Sequence, residues 1–125
     1  IGSPLGLMKF LIQLEQGNVI DNASSLEMKR LMYMTDRRIR YAQSPALKEA
    51  AVYFKSGSLY KCDRTKGEEC GKYMGNVTNF MNSVAIVEHP DNCRYIVVLM
   101  TNVLRKNSAS DHMVLAASID KIVRK

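Results

Sequence analysis

Ala50-Ala51-Val52-Tyr53-Phe54-Lys55-Ser56-Gly57 is where the chain changes character. Before it, apolar residues recur at helical spacing; from it onward they come in short unbroken runs. Five apolar residues closed by a breaker read as a buried strand that ends at Lys55-Ser56-Gly57. Two more runs follow, Ser83-Val84-Ala85-Ile86-Val87 and Tyr95-Ile96-Val97-Val98-Leu99-Met100. His89-Pro90-Asp91-Asn92 lies between them, a tight-turn composition that makes the pair an antiparallel hairpin. The charged, glycine-containing stretch from Asp63 to Asn76 reads as a long loop.

Helices flank the strands. Ser3-Pro4 supplies an N-cap and a proline at the first helical position. Leu7, Leu11 and Leu14 then repeat on one face beside Phe10, and Gly17 is the stop. A second helix is expected from Ser24, with Glu27 completing a capping box and Met28, Leu31 and Met32 as its apolar side, fading near Thr35. The last helix is expected after Ser108 or Ser110, with Leu115, Ile119 and Ile122 as its buried stripe. Lys121, Arg124 and Lys125 stand at its negative end. The fold class is therefore α/β of the α+β type: helix, helix, a three-stranded antiparallel sheet, helix. Strands apolar on both faces want cover on both sides. Either the first two helices cover the second face, or the sheet continues into strands this chain lacks.

Composition narrows the function classes. The 125 residues suit one segment, 1–125, and 46% hydrophobic against 24% charged residues excludes a disordered chain. No apolar stretch approaches the roughly 20 residues of a membrane span. A net charge of +6 suits an anionic partner but is too dilute for a dedicated nucleic-acid binder. With no Trp and eight Met, the core is expected to be aliphatic and thioether-rich. Lys29, Arg30, Arg37, Arg38 and Arg40 are the densest basic cluster, read as a solvated helix end or as a face for an anionic polymer or membrane surface. Asn22-Ala23-Ser24 and Asn76-Val77-Thr78 have the form of glycosylation sequons, a form common by chance.

Three cysteines leave one unpaired. Cys62 and Cys70 bracket the long loop, whereas Cys93 lies in the hairpin turn at the other end of the sheet, about 17–20 Å away. That exceeds the roughly 4.4–6.8 Å between the Cα atoms of a disulfide, so a bridge, if formed, is Cys62–Cys70. Such a bridge fits a periplasmic or secreted location. No Cys-x-x-Cys pair exists and His89 and His112 are isolated, so no metal site is expected, and no cofactor.

The order of elements around Lys55-Ser56-Gly57 resembles the C-terminal third of the penicillin-recognising serine hydrolases, the class A β-lactamases and penicillin-binding proteins. Lys55-Ser56-Gly57 is similar to that family's Lys-Thr/Ser-Gly on an edge strand of the active-site sheet. Ser3-Pro4-Leu5-Gly6-Leu7-Met8 resembles the opening of the helix after the omega loop, and Gly17-Asn18-Val19-Ile20 the link to the next helix. Val84 to Pro90 and Tyr95 to Thr101 resemble the following hairpin, and Ser110 to Val123 the final helix. The resemblance implies that Lys55 anchors the substrate carboxylate electrostatically and Ser56 donates its hydroxyl. It also implies that Gly57 allows close approach and that the Ser58 N–H contributes to the oxyanion hole.

The departures matter as much. The family's nucleophile sits in a Ser-x-x-Lys at a helix start, upstream of this region. Ser58-Leu59-Tyr60-Lys61 has that spacing, but on a strand positions i and i+3 point to opposite faces and cannot pair as nucleophile and base. No Ser-Asp-Asn is present, and no Glu in an omega-loop context. The chain begins at Ile1, and the expectation is that it forms the C-terminal part of a larger domain. The catalytic nucleophile would then come from a missing N-terminal segment or a second chain, and the isolated chain would be inactive. The expected substrates are β-lactams, D-alanyl peptides or related amides and esters, including peptidoglycan-like ones, with no nucleic acid. The rival expectation is a non-catalytic α/β binding module with a basic face.

Overall fold

The computed structural model describes residues 2–125. Ser3 caps the first helix, α1 (Pro4–Glu15), its Oγ accepting the Gly6 N–H at 3.1 Å. The helix stops where Gly17 takes φ +76°, a conformation that lets the Gly17 and Asn18 N–H groups return to the Leu14 and Gln13 carbonyls. A Cβ at Gly17 would also meet Asn22 Oδ1 at 2.5 Å.

The second helix, α2 (Asn22–Tyr33), begins two residues before the expected Ser24. Asp21 is its cap, accepting the Ser24 N–H at 2.6 Å. A carboxylate at the N-cap needs no capping box, and Glu27 instead pairs with Arg30. Ser25, buried, both accepts from the Val19 N–H and donates to the Val19 carbonyl at 2.9 Å, tying α2 to its linker. After α2 come two 3-10 turns, Arg40–Gln43 and Pro45–Leu47.

Strand β1 (Ala51–Lys61) does not stop at Lys55-Ser56-Gly57 but runs on to Lys61. It pairs antiparallel with β2 (Thr78–Glu88) along its whole length, from Ala51 opposite Glu88 to Lys61 opposite Thr78. The ladder outweighs the roughly 0.5–1 kcal/mol that a glycine costs inside a strand. Strand β3 (Arg94–Asn102) completes the order β1-β2-β3. The hairpin turn closes with the His89 N–H on the Cys93 carbonyl at 2.9 Å and Asn92 at φ +65°. Within the 63–76 stretch lies a short 3-10 turn, Arg64–Lys66. At its end Gly75 is obligatory, since a Cβ there would sit 2.0 Å from the Thr78 carbonyl oxygen and 2.7 Å from that of Lys61.

Both faces of the sheet are covered within the chain. Leu11 and Leu14 of α1 pack with Val84 and Ile86, joined by Met28 and Met32 of α2. On the other face Tyr41, Leu47, Phe54, Ala85, Val87 and Ala116 form the larger core. The final helix, α3 (Ala109–Val123), lies over that second face. Its buried stripe is His112, Ala116 and Asp120, not the expected Leu115 and Ile122, which are exposed; Ile119 is half-buried. The reason is polar complementarity. This face of the sheet carries Ser83, His89, Tyr95 and Thr101, and the helix turns its own polar groups inward to meet them.

The edge strand and its surroundings

Residue alternation along β1 divides the motif between two faces. Phe54 belongs to the core under α3, and Tyr53 packs on the α1–α2 side. Lys55 and Gly57 therefore share the α1–α2 side, and Ser56 and Ser58 the α3 side. Lys55 is exposed at the lip of an apolar groove lined by Leu7, Leu14, Met28 and Val84, and its Nζ donates to the Ser56 carbonyl. Consecutive residues on opposite faces reach one ligand only from the strand's free edge, and β1 is an edge strand. Space above Gly57 is open: an added Cβ would meet nothing within 4 Å.

The segment is held from behind by a residue the motif does not contain. Arg40, only 5% exposed, donates from Nη1 to the Gly57 carbonyl at 2.9 Å and the Asn82 carbonyl at 3.3 Å. Its Nη2 donates to Ser58 Oγ at 3.2 Å. Gly57 and Asn82 are register partners, so one guanidinium spans the β1–β2 ladder at the motif. Burial pulls its pKa below the ordinary arginine value, with the nearby Tyr73 opposing; it stays charged all the same. Lying far from the motif in sequence, Arg40 reads there only as one member of a basic cluster.

That cluster is not one face. Lys29 bridges Glu15 and Glu88, Arg30 pairs with Glu27, and Arg40 is buried; Arg37 and Arg38 are exposed. Behind β1, Ser83 Oγ and His112 Nδ1 are 2.9 Å apart, and His112 Nε2 is 3.1 Å from Thr101 Oγ1. The Thr101 hydroxyl donates to the Met81 carbonyl at 2.6 Å, so Nε2 is the protonated nitrogen and Nδ1 accepts from Ser83. Burial, with Arg40 adding to it, lowers the His112 pKa. Ser83 and His112 are wholly enclosed, which makes the pair structural rather than a nucleophile and its base. At the far end His89 Nε2 and Tyr95 Oη meet Asp120 Oδ1 at 2.6 and 3.0 Å.

Cys62 and Cys70 form the disulfide, with Cα atoms 5.8 Å apart, and Cys93 is free. Asn76 organises the bridged loop through the Asp63 backbone and Glu68, which leaves its buried amide unsuited to carry a glycan. Ser58 and Lys61 lie on one strand and face opposite ways. A second Ser-x-x-Lys, which the strand-based reading passes over, is Ser118-Ile119-Asp120-Lys121 on α3. Ser118 Oγ donates to the Val114 carbonyl at 3.2 Å, late in a helix on the side of the sheet away from Lys55. Among the described residues no three His, Cys, Asp or Glu side chains gather to hold a metal ion, and no helix is long and apolar enough to cross a membrane.

The fold is an α+β domain, three helices with a three-stranded antiparallel sheet. Residues 1–123 match the model of the beta-lactamase enzyme family, and the chain belongs to that family. No curated protein matches it, and no solved structure does.

Proposed function

We propose that residues 1–125 are the C-terminal part of a β-lactamase-like serine hydrolase and supply its substrate-anchoring strand. The family match across residues 1–123 carries this reading. The exposed Lys55 and the open space over Gly57 support it. A substrate carboxylate lies along the free edge of β1, attracted by the Lys55 ammonium from one face and bonded by the Ser56 hydroxyl from the other. Gly57 admits the acyl group closely, and the Ser58 N–H stabilises the oxyanion. Arg40 is a positioning residue, fixing the Gly57 carbonyl and the Ser58 side chain. The serine nucleophile and its base come from a segment outside these residues or from a second chain. The substrates are β-lactams, D-alanyl peptides or related amides and esters. The disulfide supports a periplasmic or secreted location.

A binding module with a basic face is the weaker reading, because three of the five clustered cations are paired or buried. Acylation kinetics with a fluorescent penicillin test the role of the motif. Lys55→Ala in the full-length protein is expected to slow acylation by about a hundredfold, the scale of losing one preorganised electrostatic partner. An unchanged rate removes Lys55 from the site.

A further inference from the structure

The bridged loop is tied down on both sides of one side chain, Tyr73. On one side the disulfide fixes Cys70 to Cys62, the residue directly after β1. On the other, Asn76 bonds the Asp63 backbone and the Val77 N–H bonds the Lys61 carbonyl at 3.1 Å. Tyr73 stands midway between Cys70 and Asn76. Its ring meets that of Tyr60 on β1 edge-on, with centroids 5.6 Å apart, and lies 5.7 Å from the Arg40 guanidinium.

Through Arg40 this contact reaches the motif. Arg40 donates to the Gly57 carbonyl and to Ser58 Oγ, so whatever fixes the guanidinium fixes those two residues. A cation over an aromatic face is held more firmly when water is excluded, and Arg40 is only 5% exposed. The backbone adds an independent sign. Arg40 and Tyr73 are both non-glycine residues in the left-handed region, at φ +52° and +60°. Strain of this kind persists only where the surroundings enforce it, and it concentrates at clamps and switches.

We propose that the Cys62–Cys70 disulfide is a redox-sensitive latch on the Gly57–Ser58 segment, with Tyr73 as the positioning residue that acts through Arg40. The proposal rests on the hydrolase reading for its effect on rate, though not for its effect on structure. Both cysteines are half-buried rather than enclosed, so a small dithiol reaches the bridge. One thiolate of the dithiol attacks a bridge sulfur, and its second displaces that sulfur from the mixed disulfide. The dithiol leaves as a cyclic disulfide, and its two protons end on Cys62 and Cys70. With the Cys70 tie gone, the span carrying Tyr73 is anchored at Asn76 alone, and the ring no longer holds Arg40.

Acylation of the full-length protein by a fluorescent penicillin, with and without dithiothreitol, tests the latch. Reduction is expected to slow acylation by about tenfold, and Tyr73→Leu to do the same with the bridge intact. Tyr73→Phe, which keeps the ring, is expected to stay within about twofold of the unaltered protein. Reduction of Tyr73→Leu is expected to add nothing, because the two changes break one connection. Equal rates in the oxidised and reduced protein would overturn the proposal, as would a second tenfold loss on reducing Tyr73→Leu. Amide NMR signals of Gly57 and Ser58, followed in the same samples, separate this from the hydrolase reading. If the oxidised protein takes up no penicillin, that reading fails and the signals decide the latch. Movement on reduction and in Tyr73→Leu, but not in Tyr73→Phe, supports it, and signals that stay in place overturn it.

Discussion

Arg40 and Gly57 meet at one hydrogen bond, yet only Gly57 is visible from the local sequence. Lys55 to Ser58 are contiguous, so the resemblance that implies their roles rests on adjacent residues. Arg40 acts through partners 17, 18 and 42 positions away, and no local pattern links them. Gly57 offers a test that separates function from folding. It has room for a methyl group and does not use a positive φ. Gly57→Ala is therefore expected to leave urea stability unchanged or raise it by about 0.5 kcal/mol, while slowing penicillin acylation in the full-length protein. Loss of stability without loss of rate would make the glycine structural. His112 carries a second prediction. Its folded pKa lies below the ordinary 6.5, so the unfolded chain takes up a proton first as pH falls. Its contribution to stability is full above about 6.5 and declines below that, with a slope of at most about 1.4 kcal/mol per pH unit, until the folded pKa is reached. Unfolding free energies measured from pH 7 to 5 should show this decline, and His112→Gln should flatten it.

Among the elements, β1 was found from its apolar half and then continued past it. The burial pattern explains why: Val52 and Phe54 are enclosed, but from Gly57 to Lys61 the residues are exposed, so hydropathy gives no signal there. Pairing with β2, a non-local fact, sets the true end. In α3 the apolar periodicity was real but belonged to the wrong face, because His112 and Asp120 answer polar groups on the sheet that no helix-only reading includes. The α1–α2 pair is tied to the sheet by a charge network in which Lys29 Nζ reaches Glu15 at 2.9 Å and Glu88 at 2.8 Å, with Arg94 bonded to both carboxylates. Lys29 also lies 4.3 Å from the Tyr53 ring centroid. Burial alone would raise the Glu88 pKa, but Lys29 and Arg94 outweigh it and hold it low. Lys29→Met would leave Glu15 and Glu88 with the exposed Arg94 as their one remaining cation. It is expected to cost about 2 kcal/mol in a denaturant melt at pH 7, less below pH 4 once the carboxylates protonate.

At the scale of the whole molecule, the two-layer cover expected from the strands is supplied by the chain itself, α1 and α2 on one face and α3 with the 3-10 turns on the other. The single loop bridge and spare Cys93 followed from the same up-down-up topology. What topology could not give was how the Lys55–Ser58 stretch divides between the two faces of β1, and where Arg40 meets it. Those depend on which residues share a face, and hence on register. The outer edge of β3 has no strand partner among the described residues. If residues 1–125 supply the substrate-anchoring strand of a larger domain, the serine nucleophile must reach the free edge of β1, beside Lys55. Covalent labelling of the full-length protein by a fluorescent penicillin, followed by mapping of the modified peptide, tests this most directly. The account requires one acylated serine, lying outside residues 1–125, and slower labelling in Lys55→Ala. No acylation, together with a stable monomeric fold for residues 1–125 alone, would contradict it.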